Sequence, residues 1–275
     1  MASKTTYCIL FALIFSFAAL GDSDSPSDTP EFYFTRLIYR QNPVLHGWFR
    51  RFTMANPGPY RCPEFGGRNF FPPQGWGWAT DTPGADCKLM GAIHRLTGQH
   101  VYSNPNYIQI MDPALFTFPF AYIVEPGQMF FTDQEAARLR EYLLRGGFLH
   151  IDDFWGLDQK DNAQTELKKV FPEYSWQQLP LTHEIFHTFF DIDTVMQIPN
   201  VSNGCYGRQT WESPTDTQPR IFGIKDDNGR VMVIVTYNSD LGDAWEHMDV
   251  PCYPEKFSGQ AYRMGINFIV YAMTH

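Results

Sequence analysis

The stretch FPFAYIVEPGQMFFTDQEAARLREYLLRGGFLHIDD, residues 118–153, decides the fold. It opens on Phe118 to Val124, a short apolar run bounded by turn residues, which reads as a buried strand. Thr132-Asp133-Gln134-Glu135 then forms a capping box: the Thr132 hydroxyl accepts from the Glu135 amide while the Glu135 carboxylate reaches back. Ala136, Leu139, Tyr142 and Leu143 give the following helix one apolar stripe, and Gly146-Gly147 ends it. Phe148 to Ile151 is a second buried strand, stopping at Asp152-Asp153. Strand, amphipathic helix and strand make a βαβ unit, whose crossover joins parallel strands with a right-handed turn.

The same alternation extends in both directions. Phe32 to Tyr39 (FYFTRLIY) is rich in β-formers and predicts a first strand. Thr82 is placed to cap a helix with Pro83 at its first position, a stripe of Leu89, Ile93 and Leu96, and Gly98 at its end. Tyr107 to Met111 predicts a strand and Asn162 to Val170 a polar helix. Phe222 to Asp226 and Arg230 to Tyr237 flank Asp227-Asn228-Gly229, a strong hairpin signal. Ser258 to Thr274 reads as a core helix, apolar on most sides although interrupted by Arg263 and Asn267. Together these elements predict a single α/β domain over residues 31–275, with a mostly parallel sheet, helices on both faces and no internal repeat.

The N-terminus carries a different signal. Lys4 is followed by 14 apolar residues, Tyr7 to Leu20, and then by small residues and an acidic, Ser/Pro-rich stretch. Residues 1–21 read as a secretory signal peptide and 22–30 as a linker. The apolar run is shorter than the roughly 20 residues needed to span a bilayer, so the expectation is export to the periplasm or outside the cell, with no stable membrane span after cleavage. The full chain of 275 residues has a net charge of −9, and the mature part, with 20 basic and 30 acidic side chains, has −10. That balance argues against nucleic acid or an anionic membrane as partner. Four cysteines remain, allowing two disulfides in three connectivities. Cys62–Cys87 and Cys205–Cys252 is the expected pairing, because each pair brackets an irregular segment; four free thiols is the alternative.

In open α/β sheets ligands bind beyond the carboxyl ends of the strands. Glu125, Asp152 and Asp153, and Asn238 with Asp240, sit at such ends. Carboxylates converging there could bind a cation or share a proton, or could simply cap the next turn. His183-Glu184-Ile185-Phe186-His187 is the sharpest motif: on a helix, two histidines at i and i+4 share a face and bind zinc, with the glutamate as base. Pro180 upstream and the strand-like FFDID downstream leave little room for that helix. Aromatics between Trp48 and Trp78 could stack on sugar rings or peptides, or pack down on the core. No phosphate-cradling Gly-rich loop and no Gly-x-Ser-x-Gly elbow follows any strand.

The stretches FYFTRLIY (32–39), WATDTPGAD (78–86), FPFAYIVEPG (118–127), GGFLHIDDFWG (146–156), the segment from His183 to Phe186, DNGR (227–230) and AYRMGINFIVYAMT (261–274) together resemble the bacterial domain of unknown function 4159. The resemblance implies a flavodoxin-like three-layer sandwich with a mostly parallel central sheet, of the class I glutamine amidotransferase-like type. It implies no activity. Amidotransferases of that type carry a cysteine nucleophile on the turn after the strand written here as FLHI. This chain has Asp152-Asp153-Phe154 there, which argues against glutaminase chemistry. The family's pattern often places a proline where this chain has Glu184, which implies that the zinc motif is particular to this sequence.

The expectation is therefore an exported cell-envelope domain without an assigned cofactor, binding a small polar or glycan-like ligand in a crevice. Asp152, Asp153, Glu125 and His183 are its expected lining, with Arg36, Trp78 and Asp81 as further candidates. One alternative is a zinc-dependent hydrolase with His183 and His187 as ligands and Glu184 as base. Another is a non-catalytic structural or partner-binding module presenting its aromatic loop.

Overall fold

A strand can be apolar at every position only where both its faces are covered. A computed structural model, which describes residues 32–42, 61–67 and 77–275, places three such strands side by side at the centre of one sheet. In chain order the strands are β1 (Thr35–Ile38), β2 (Arg40–Gln41), β3 (Asn106–Gln109), β4 (Phe120–Val124), β5 (Met129–Phe130), β6 (Phe148–Asp152), β7 (Gln177–Gln178), β8 (Arg220–Lys225) and β9 (Val231–Tyr237). The helices are α1 (Gly84–Thr97), α2 (Asp133–Leu144), α3 (Gly156–Val170), α4 (Val201–Tyr206), α5 (Leu241–Glu246) and α6 (Glu255–Thr274). The proposed signal peptide and linker, and the aromatic residues from Trp48 to Tyr60 and from Phe70 to Trp76, lie outside the described residues.

The main sheet has seven strands in the order β3-β1-β4-β6-β9-β8-β7. β3, β1, β4, β6 and β9 run parallel. β8 and β7 close one edge antiparallel, β8 through the expected hairpin. In that turn Asp226 Oδ1 accepts from the amides of Asn228 at 2.9 Å and Arg230 at 3.0 Å, and Gly229 supplies the left-handed step at φ 88°. From β1 the chain moves outward to β3 and then returns across it to β4, so the direction of strand addition reverses between β1 and β4. Reversals of this kind open a crevice at the carboxyl ends.

Alternate residues of each central strand face opposite layers. Phe120, Tyr122 and Val124 of β4 pack with Leu89 of α1 and Met264 and Phe268 of α6. Ala121 and Ile123 pack with Leu139 and Leu143 of α2 and Leu167 of α3. Helices thus cover both faces of a mixed, mostly parallel sheet, as the alternation of elements predicts.

Several boundaries differ from expectation. Thr82 does not cap α1: Pro83 occupies the cap position, and the Thr82 hydroxyl donates instead to the Ala79 carbonyl at 2.8 Å. α3 starts at Gly156, ahead of the expected Asn162, because the Asn238 carboxamide oxygen accepts from the Gly156 amide and fixes its first turn. α6 starts at Glu255. The capping box at Thr132 and Glu135 is present in full. The cysteines pair as Cys62–Cys87 and Cys205–Cys252. Among the described residues no helix is long and apolar enough to cross a membrane.

His150 in β6 is wholly buried, with Nε2 3.0 Å from the Thr236 hydroxyl and its ring edge-on to Phe268. Burial pushes its pKa down to about 3, against about 6.5 for a free imidazole. The unfolded chain therefore takes up a proton below pH ~6.5 that the folded chain refuses until about pH 3. Its contribution to stability is complete above pH ~6.5 and is lost as the pH falls. His150→Gln keeps a donor for Thr236 and does not titrate. Between pH 6 and pH 4 the urea-unfolding free energy of the wild type should fall relative to this variant by about 1.4 kcal/mol per pH unit. Parallel pH curves for the two proteins would contradict that assignment.

Candidate functional site

Non-glycine residues avoid the left-handed backbone region because Cβ crowds the following carbonyl, at a cost of roughly 1–2 kcal/mol each, less for Asn and Asp. Among the described residues four non-glycines adopt it: Asp81 at φ 62°, Glu125 at 55°, Asp153 at 55° and Asn238 at 56°. Glu125 directly follows β4 and Asn238 directly follows β9, while Asp153 directly follows β6. Every central strand therefore ends in a sharp left-handed turn at a polar residue, although the Asn238 side chain turns inward, to the Gly156 amide and the carbonyls of Asp216 and Gln218. Asp81 reaches the same place from the segment that leads from the β1 edge into α1. Strained positions of this kind cluster at active sites and ligand clamps.

Asp152 has a structural part. It is fully buried at the last position of β6. Its Oδ2 accepts from Tyr122 Oη at 3.0 Å, the Leu241 amide at 2.9 Å and the Gly242 amide at 3.1 Å. Its Oδ1 accepts from the Thr236 hydroxyl. One carboxylate thus joins β4, β6, β9 and the start of α5. Burial raises its pKa to about 6, held back by hydrogen bonds from Thr236 and Tyr122. With both oxygens engaged from within, Asp152 has no oxygen free for a ligand.

Arg36 is also structural. Its guanidinium lies buried under the sheet edge, donating to the carbonyls of Trp78 at 3.2 Å and Thr80 at 2.6 Å and pairing with Asp86 at 2.6 Å. It stacks 5.0 Å from the Tyr122 ring centroid. These bonds hold the segment that carries Asp81. Trp78 packs into the core with its ring edge-on to Tyr107, so it is no platform for a ligand.

The residues that do converge are Asp81, Asp153 and Asp240, which follows β9 and caps α5. Each offers a carboxylate oxygen, and the three oxygens lie within 4.8 Å of one another. All three residues are buried, at 6%, 6% and 3% exposure. Asp153 Oδ1 accepts from Trp155 Nε1 at 2.9 Å, and Asp240 Oδ1 accepts from the Asp243 amide at 2.7 Å. Asp81 Oδ2 is buried with no hydrogen-bond partner. It lies over Gly242, where a Cβ would come within 2.3 Å of it, so only glycine leaves that oxygen room. Burial, then the nearby charges of Asp243 and Glu246, raises the Asp81 pKa well above the usual carboxylate range. Burial and Glu125 do the same for Asp153, and burial and Asp153 for Asp240. Glu125, at the half-buried rim, is pushed up to about 7 by burial and by Glu212.

His183 lies elsewhere, which corrects its expected place beside Asp153 and Glu125. It stands 6.4 Å from the Tyr271 ring and is influenced by Lys225. Lys225 pairs with Val231 at the amino end of β9, whereas the carboxylates sit at the carboxyl end. The zinc spacing also fails locally. Glu184–Phe186 is a single 3-10 turn with His183 as its cap, not an α-helix with a shared histidine face. His183 Nδ1 accepts from the Ile185 amide, and His187 spends its two nitrogens on Asp191 and the Leu181 carbonyl.

Asp243 and Glu246 on α5 border the cluster and escaped the sequence reading, because a six-residue helix is too short for its apolar side, Leu241, Ala244 and Trp245, to give a periodic signal. Asp240 was legible as a strand-end acid, although only the fold brings it beside Asp81.

The architecture and site define an α/β domain whose parallel sheet presents an acidic, strained carboxyl edge. A family model described as Domain of unknown function (DUF4159) matches residues 73–273. The chain belongs to that family. No curated protein matches it.

The two adjacent aspartates should separate by experiment. Asp152→Ala strands two amides and two hydroxyls and should cost roughly 3–5 kcal/mol in urea unfolding. Asp153→Asn removes a repelled buried charge, keeps the left-handed turn and, measured in chelator, should leave stability within about 1 kcal/mol or raise it. Equal losses in both variants would overturn the division of roles.

Proposed function

We propose that the chain is an exported domain of the cell envelope that binds a small polar ligand of the glycan type, hydroxyl- or amine-bearing, at the carboxyl edge of its sheet. One observation carries the reading: the left-handed residues Glu125, Asp153 and Asn238 end the three central strands side by side, with Asp81 facing them. Carboxylates accept hydrogen bonds from hydroxyl and ammonium groups and repel phosphate and other anions, which sets the ligand class. Two disulfides support an oxidising compartment.

The strand reversal between β1 and β4 supports the finer assignment to a flavodoxin-like, glutamine amidotransferase-like sandwich. Asp153 stands in the strained turn where the amidotransferase resemblance puts a cysteine. The domain therefore uses the superfamily's ligand position with a carboxylate in place of the nucleophile. Asp153, Asp81 and Glu125 are the ligand-facing residues, while Asp152 and Arg36 position them.

Calorimetric titration of the mature protein with glucosamine, cellotriose and chitotriose tests the reading. Saturable binding of at least one, weakened at least tenfold by Asp153→Asn with unaltered circular dichroism, is expected. No binding of any, or equal binding by the variant, would overturn it.

A further inference from the structure

The three buried aspartates pose an electrostatic problem that hydrogen bonds do not solve. Trp155 Nε1 occupies one oxygen of Asp153 and the Asp243 amide one oxygen of Asp240, and each bond leaves the second oxygen for another partner. Asp81 Oδ2 has no partner, although its residue is more than nine-tenths buried. Cations in this part of the fold are committed elsewhere: Arg36 pairs with Asp86, His247 lies against Asp243 and Glu246, and Lys88 pairs with Asp249. A buried carboxylate oxygen left without a donor costs several kcal/mol unless a proton or a cation satisfies it.

The geometry favours a cation over a shared proton. One proton satisfies a pair of oxygens, whereas here three carboxylates from three separate segments converge. Their oxygens lie within 4.8 Å of one another, a span that fits ligands on one ion with bonds of about 2.1–2.5 Å. The donors are all carboxylate oxygen, with no imidazole or thiolate among the three, which selects a hard ion over zinc or copper. Gly242 keeps the space beside Asp81 Oδ2 open.

We propose that Asp81, Asp153 and Asp240 bind one hard divalent cation, calcium or magnesium in class, at the carboxyl ends of β6 and β9. This deepens the ligand reading above and rests on the same edge of the sheet. The ion neutralises the cluster and presents open coordination positions to ligand hydroxyls. Asp152 stays out of the first coordination sphere, because its oxygens are filled from within the fold.

The test uses the untagged mature chain stripped with chelator. Thermal unfolding and calorimetry are run with calcium, magnesium or manganese chloride, for the wild type, Asp81→Asn, Asp153→Asn and the exposed control Asp161→Asn. One ion per chain is expected. At a concentration one hundred times Kd it should raise Tm by roughly 5–10 °C. The rise should persist in Asp161→Asn and vanish in Asp81→Asn and Asp153→Asn. Asparagine tolerates the left-handed backbone, so both variants should unfold cooperatively in chelator, no earlier than the wild type. If Asp81→Asn does not fold, Asp153→Asn carries the comparison.

No response to any of the three ions overturns the proposal, and so does an equal response in Asp153→Asn and Asp161→Asn. Repeating the saccharide titration in chelator separates the two readings. Saccharide binding without any ion response leaves the ligand reading standing and removes the cation. An ion response without saccharide binding does the reverse.

Discussion

The Asp152 carboxylate is the contact on which the rest of the edge depends. A parallel sheet leaves its carboxyl ends without ladder partners, and a helix start leaves amides unpaired. Asp152 answers both: it takes the hydroxyls of Tyr122 and Thr236 and the first amides of α5. The ends of β4, β6 and β9 are fixed relative to one another and to the α5 start. Asp153 and Asp240 inherit their positions from that anchor, one residue past β6 and at the α5 cap. On the β1 side Arg36 works similarly, gripping two carbonyls and Asp86 so that Asp81 approaches the same point.

These two anchors also explain how the strain is sustained. A left-handed non-glycine residue persists only when its surroundings over-determine it. Tyr39 donates to the carbonyls of Val124 and Glu125. The Asp153 amide donates to Ser239, and the Asn238 amide to Phe154. The strand-end turns thus hold one another through backbone hydrogen bonds. Polar side chains are left pointing into a place where water is scarce and like charges are near. A scaffold meant only for stability would use glycine or a neutral cap there.

Local signals were legible in the sequence. The Thr132 capping box, the Asp226–Arg230 hairpin and the apolar strands each follow from a few neighbouring residues, and they gave the central strands and the long helices but not the edge strand β7 or the short helices α4 and α5. Boundaries drifted where a distant group decided them, as Asn238 does for the start of α3. Strand-end acids were visible, but their roles were not. Asp152 and Asp153 are adjacent in sequence, yet one points under the sheet and the other out of it, and only the position of α5 separates them. Arg36 and Trp78 read as polar and amphipathic candidates because burial against the 77–86 segment is a tertiary fact. The histidine pair misled for a related reason: its spacing has meaning only on an α-helix, and the chain makes a single 3-10 turn there.

The direct measurement is carbon-detected NMR of the chelator-treated protein with aspartate carboxyls labelled, followed from pH 3 to pH 8. Asp81, Asp153 and Asp240 should titrate well above the ordinary value of about 3.9 and influence one another's curves. Independent titration of all three near that ordinary value would mean that the carboxylates do not meet at the edge of the sheet, and would contradict the site.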